Sequence, residues 1–171
     1  MAWTIWEKNR VLRFLLTPED EDLTGWKQLP TPEGFNPSGD VSWKLVDGTL
    51  VPDLSVLKEN LLNKVKDLRD SKEASGCTTE FGVFDSDPDS QRKVTGAAML
   101  ALLNPSFSVD WRLKNNSIIT LDKDAILKVA ESMGAFVTSC QYRKNELDTL
   151  IKEATSLEEL TTIDITTGWP T

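Results

Sequence analysis

Apolar residues at Leu54, Leu57, Leu61, Val65 and Leu68 recur in steps of three and four. That spacing draws one stripe along a helix, with Lys58, Glu59, Lys64, Lys66, Asp67, Arg69 and Asp70 on the other faces. Glu73-Ala74-Ser75-Gly76 supplies the stop, because Gly76 can take the left-handed conformation that closes helices. A longer stripe runs through Ile126, Ala130, Met133, Val137, Cys140, Leu147, Ile151 and Ala154, with Lys144 as its one break. Val129, Phe136 and Leu150 form a flanking row. A helix of about 33 residues would be about 50 Å long at 1.5 Å per residue. Such a length predicts that Ile126, Ala130, Met133, Val137, Leu147 and Ile151 form an oligomer or packing seam, either a coiled coil between copies or a long packed hairpin with the Leu54–Leu68 helix. A break near Gly134 is the plainer alternative.

Between these helices lies Gly76–Asn104, the stretch both flanks would pack on. Phe81–Phe84 reads as a short strand, and Asp85-Ser86-Asp87 as a turn. Asp87 suits an N-cap and Pro88 the first helical position, where a missing N–H costs nothing. The helix that follows presents Val94, Ala97, Ala98, Ala101 and Leu102, a small-residue face that permits close approach. Asn104-Pro105 ends it. Val109, Trp111 and Leu113 then alternate, Asn115-Asn116 turns, and Ile118 and Thr120 return as a hairpin. Asp122 can cap the long helix, and a short helix follows Ser156.

The first 53 residues read differently. Trp3 and Ile5, then Val11, Arg13 and Leu15, are extended pieces around the polar turn Glu7–Arg10. From Pro18 to Gly39 the prolines Pro18, Pro30, Pro32 and Pro37 remove backbone donors, which predicts loop rather than strand or helix. Asp47-Gly48 between WKLV and TLV is a strong hairpin signal, with Trp43 and Leu45 on one face and Thr49 and Val51 following the turn. The expected class is α+β. A small β-rich attachment or adapter module (residues 1–53) precedes a mainly helical domain (54–171), with a long helical hairpin, a short helix and a β-hairpin.

Composition narrows the chemistry. With 39% hydrophobic residues, the chain can bury a core. Its formal charge of -8 disfavours a phosphate backbone as partner, so no nucleic acid is expected. There is no histidine, which removes the commonest general base and transition-metal ligand. Cys77 and Cys140 are too far apart in sequence for a zinc motif and read as buried free thiols. No apolar run reaches the roughly 18 residues of a membrane span, so no membrane insertion is expected. The acidic run DSDPDSQ carries oxygens at alternate positions, as calcium loops do, but lacks their glycine and terminal glutamate. It reads as a helix start. The glycines Gly76 and Gly82 lack the Lys-Ser/Thr partner of a phosphate loop. Glu158-Glu159 sits on a solvated face with no sign of the burial that raises a carboxylate pKa. The tryptophans Trp3, Trp6, Trp26, Trp43, Trp111 and Trp169 suit core packing or partner contact better than sugar stacking. No catalytic residue, metal site or cofactor is expected, and the chain is not expected to be an enzyme.

One resemblance carries the functional expectation. FGVFDSDPDSQRKVTGAAMLALL, the Trp111 hairpin and the ending TSLEELTTIDITTGWP together resemble a domain of unknown function common at the C-terminal end of phage and prophage tail proteins. The matching positions are Phe84, Asp85, Asp87, Ser90, Gln91, Arg92, Trp111, Leu160, Ile163, Gly168, Trp169 and Pro170. WKLVDGTLV is similar to the β segment that often precedes that domain in tail fibre, baseplate and fibre-assembly proteins. The resemblance implies a structural component of a bacteriophage tail, at the fibre or baseplate. It would act through contacts with other phage tail proteins in assembly and host attachment. A homo-oligomer is implied, with a trimer favoured by analogy with fibre symmetry. Location would be the virion tail, after assembly in the host cytoplasm. The alternative is a tail fibre assembly chaperone that binds and caps a fibre protein.

Overall fold

The computed structural model describes residues 3–9, 11–16, 18–33, 35–39 and 41–171; the side chains of Val11 and Asp20 are left aside. Arg10, in the expected first turn, and Gly34, in the expected proline-rich loop, lie outside the described residues. The architecture is α+β, with a β-rich N-terminal part and small antiparallel sheets. By internal contacts the chain divides into two compact units: residues Met1–Leu61 with Ala154–Thr161, and Leu62–Glu153 with Thr162–Thr171.

The first unit opens with β1 (Thr4–Lys8) and β2 (Val11–Leu15), antiparallel, with Ile5 opposite Phe14 and Glu7 opposite Leu12. Residues directly opposite share a face, so Leu12 and Phe14 pack on the core around Ile5, rather than Arg13. Arg13 lies on the other face, with its guanidinium 5.0 Å from the Trp26 ring centroid and 3.1 Å from Glu21. The expected loop of residues 18–39 is interrupted: Pro18–Asp20 makes a single 3-10 turn, and β3 (Lys27–Leu29) pairs with the free edge of β1. Proline gave no warning of β3, because a three-residue strand fits between Pro18 and Pro30 and needs only its own donors. β4 (Trp43–Val46) and β5 (Thr49–Pro52) form the expected hairpin; Asp47 and Gly48 both take positive φ, 48° and 77°. Leu45 faces Leu50, so Leu50 is the buried residue after the turn, not Thr49 or Val51. Ile5, Leu29, Phe35 and Leu50 form this unit's core, with the Phe35 ring 5.3 Å from Phe14 and 5.2 Å from Trp43.

The helix α1 spans Leu54–Glu73 and ends at Gly76, with φ 114°. In the second unit, β6 (Cys77–Thr79) and β7 (Gly82–Phe84) make a tight hairpin. Its first strand was not foreseen, since three residues after a helix stop carry no period. α2 (Pro88–Leu103) follows, then the hairpin β8 (Ser108–Arg112) and β9 (Ile118–Asp122), then α3 (Lys123–Glu153). The β8–β9 register puts Val109 opposite Leu121 and Trp111 opposite Ile119. The inward residues of β9 are therefore Ile119 and Leu121, not Ile118 and Thr120. The turn is longer than Asn115-Asn116 alone: Leu113 N–H donates to the Ser117 carbonyl (2.9 Å), which shifts the return strand by one residue.

α3 runs through Gly134 without a break. Its buried row is Ile126, Val129, Met133, Phe136, Cys140, Leu147 and Ile151. Val129 and Phe136, the expected flank, are thus deeper than Ala130 and Val137. α2 packs along the first half of α3, where the sequence suggested the Leu54–Leu68 helix. In the second half of α1, Arg69 Nη1 donates to Gln141 Oε1 on α3 (2.9 Å). Lys144 interrupts the apolar stripe because it pairs with Asp148 one turn on. α4 (Leu157–Thr162) contributes buried Leu160 to the first unit.

Candidate functional site

The start of α2 is built from its own side chains. Asp87 stands in extended backbone, and its carboxylate accepts from Asp89 N–H (3.0 Å), Ser90 N–H (3.2 Å) and Ser90 Oγ (2.6 Å). The Ser90 hydroxyl, more than the amides, holds the Asp87 carboxyl below the usual range. Its oxygens are occupied as a cap. Among the described residues, no three His, Cys, Asp or Glu side chains are grouped to hold a metal ion.

Ser86, the middle residue of the DSD turn, is fully buried. Its hydroxyl accepts from Gly76 N–H (2.9 Å) and donates to the Glu73 carbonyl (2.5 Å). Gln91 Nε2 donates to the Ser86 carbonyl (2.7 Å). One hydroxyl thus satisfies groups left open by the end of α1 and ties them to the start of α2. A polar residue in an acidic turn gives no sequence sign of this burial. Two glycines are required nearby. A Cβ on Gly82 would lie 2.7 Å from Leu113 Cδ1, and Gly76 holds its positive φ beside Lys114 and Val83.

A hollow of about 400 Å³ opens beside this turn, lined by Asp85, Ser90, Lys93, Val109, Asp110, Trp111 and Arg112. Asp85, Ser90 and Trp111 are among the positions that carry the family resemblance; here they come together. Phe84, fully buried, supports Trp111 from below, with ring centroids 6.1 Å apart. Asp110 accepts from Thr120 Oγ1 (2.7 Å). The charged side chains, Asp85, Lys93, Asp110 and Arg112, are exposed. Such a rim offers both signs of charge and an aromatic edge to a polar surface.

The closing TTIDITTGWP is held on α3 by Arg143, which sequence reasoning passed over as one more charge on a helix. Its Nε donates to the Thr167 carbonyl (3.1 Å), Nη2 to the Asp164 carbonyl (3.3 Å) and Nη1 to Glu146 (2.7 Å). Trp169 is buried and donates from Nε1 to the Ile165 carbonyl (2.9 Å). Hydroxyls of Thr166 and Thr167 hold the Asp164 carboxyl down to about 2.

Of the expected seam, Ile126, Met133, Leu147 and Ile151 are buried within the chain, while Ala130 and Val137 are half-buried at the edge of the same core. The small lining of Thr95, Ala130, Gly134, Val137 and Thr138 leaves a groove of about 250 Å³ between α2 and α3. Cys77 and Cys140 are free and buried in this core. Burial pushes both thiols up, Cys140 to about 11. The outer side of α2 is the reverse of its inner side: Met99, Leu100, Leu102 and Leu103 are 62, 60, 63 and 82% exposed. Leu102, expected on the packed face, belongs to this outer set. MLALL is apolar all round, so periodicity could not tell which side would be covered.

Residues 56–167 match the family described as a domain of unknown function, DUF4376. The match covers more than half of the chain, which belongs to that family. No curated protein and no solved structure gives a significant match. Among the described residues, no helix is long and apolar enough to cross a membrane.

Proposed function

We propose that the protein is a structural component of a bacteriophage tail, at the fibre or baseplate, acting through protein–protein contacts rather than catalysis. The observation that carries this reading is the ordered set of residues by which the chain resembles phage tail proteins. Phe84, Asp85, Asp87, Ser90, Gln91, Arg92, Trp111, Leu160 and Ile163 all fall inside the span matched by the family. Asp87 and Gln91 build the α2 start, Phe84 packs beneath Trp111, and Asp85, Ser90 and Trp111 line an open polar hollow. In this role the protein would be made in the host cytoplasm and carried into the virion.

Mass spectrometry of purified particles from the phage or prophage that encodes the chain tests the proposal. Peptides at a constant ratio to known tail proteins are expected. Absence from particles, with fibreless tails when the gene is deleted, would favour the second reading, an assembly chaperone that binds a fibre protein. Absence from particles with normal tails on deletion would remove both.

A further inference from the structure

The outer face of α2 has a shape that matches itself. Arg92, Gly96, Met99, Leu100 and Leu103 fall on one side of the helix, opposite the buried Val94, Ala98 and Ala101. At Gly96 a Cβ would meet nothing within 4 Å, and the missing side chain leaves a shallow hollow bounded by Arg92, Thr95 and Met99. Two turns on, Leu103 projects with 82% of its surface exposed. The separation between hollow and projection is about 10 Å along the axis. In an antiparallel pair of α2 helices whose two-fold axis passes near Met99 and Leu100, each Leu103 meets the other copy's hollow over Gly96. A projection and a recess on one surface, related by a two-fold axis, are what an isologous interface requires.

Charge favours the same occupant. The chain carries a formal charge of -8, so two copies repel over most of their surfaces. From Val94 to Val109 there is no charged residue at all. Two copies can therefore meet here without opposing like charges, and the uncharged strip offers a strongly basic partner no charge to pair with. We infer that the outer face of α2 is a self-association surface, joining two copies of this chain about a two-fold axis. The contact is modest: a patch of a few hundred Å² is smaller than the roughly 800 Å² per partner of a standard interface, so the dimer dissociates on dilution. This inference is independent of the tail reading, because a dimer in solution says nothing of virions and absence from virions leaves the dimer untouched.

Sedimentation equilibrium of the full chain over two decades of concentration tests it. A monomer–dimer equilibrium is expected for the native sequence. Leu103→Glu and Gly96→Glu should each abolish the dimer while leaving circular dichroism and cooperative melting intact, since both positions are exposed. Oxidation of Met99→Cys should trap a disulfide-linked dimer, whereas Ile118→Cys, equally exposed on β9, should not. A chain that stays monomeric throughout, a trimer, or a dimer that persists in Leu103→Glu would each overturn the proposal.

Discussion

α2 and α3 divide their apolar residues in opposite ways. α3 hides most of its large apolar side chains, among them Ile126, Met133, Phe136, Leu147 and Ile151, and exposes Tyr142 and Leu150. α2 hides Val94, Ala98 and Ala101 and shows Met99, Leu100, Leu102 and Leu103. Small residues on the inner side let the α2 backbone lie close to α3, but each buries little area, so the burial that holds the pair comes mostly from α3. The outer leucines bury little of their surface in the chain. One helix is therefore shaped by the core of its own unit and the other is shaped by it only on one side.

Substitutions can break this contrast, and the largest effect belongs to α3. Ile126→Ala should cost about 2–5 kcal/mol in urea unfolding, because a fully buried side chain leaves a cavity. On α2 the opposite change is the damaging one. Ala101→Leu, at a position with no exposed surface, should cost about 1–3 kcal/mol by overpacking. A result near zero would mean that α2 can move away from α3, and the close-approach account would fail. Ser86→Ala should cost a similar ~1–3 kcal/mol, since Gly76 N–H and the Glu73 carbonyl lose their buried partner. If it is neutral, the turn does not hold α1 to α2.

A smaller effect depends on pH. The Cys140 thiol is raised from 9.0 to about 11, chiefly by burial. Above pH 9 the unfolded chain releases this proton while the folded chain keeps it, so stability should fall as pH rises from 9 towards 11. Cys77 acts in the same direction. Cys140→Ala should flatten the decline relative to the native chain in urea melts at matched pH. Least of all, Leu103→Glu should change the stability of the monomer by under about 0.5 kcal/mol. A larger loss would show that the outer face is covered within the chain.

The long helices, the Asp87 cap, the Gly76 stop and the Asp47-Gly48 turn were legible because each rests on local rules, a period or a required φ. What escaped depended on partners distant in sequence. β3 exists because β1 has a free edge, and Ser86 is buried because the ends of two helices meet there. The register of β9 slipped by one residue because the turn took in Leu113 and Ser117. Arg143 matters only because the tail returns to α3. The seam proposed from Ile126 to Ile151 shows the same limit: the stripe was real, but periodicity names a face and not what covers it.

The Arg143 clasp has a kinetic consequence. Residues 164–170 belong to no helix and no strand ladder, and they are held by one guanidinium reaching two carbonyls and by the burial of Trp169. A segment fastened at so few points can detach and reseat while the core stays folded, so its backbone should be open to proteases far more often than the helix beneath it. Lysine, with a single nitrogen, cannot span both carbonyls, so even this charge-conserving exchange should quicken that opening.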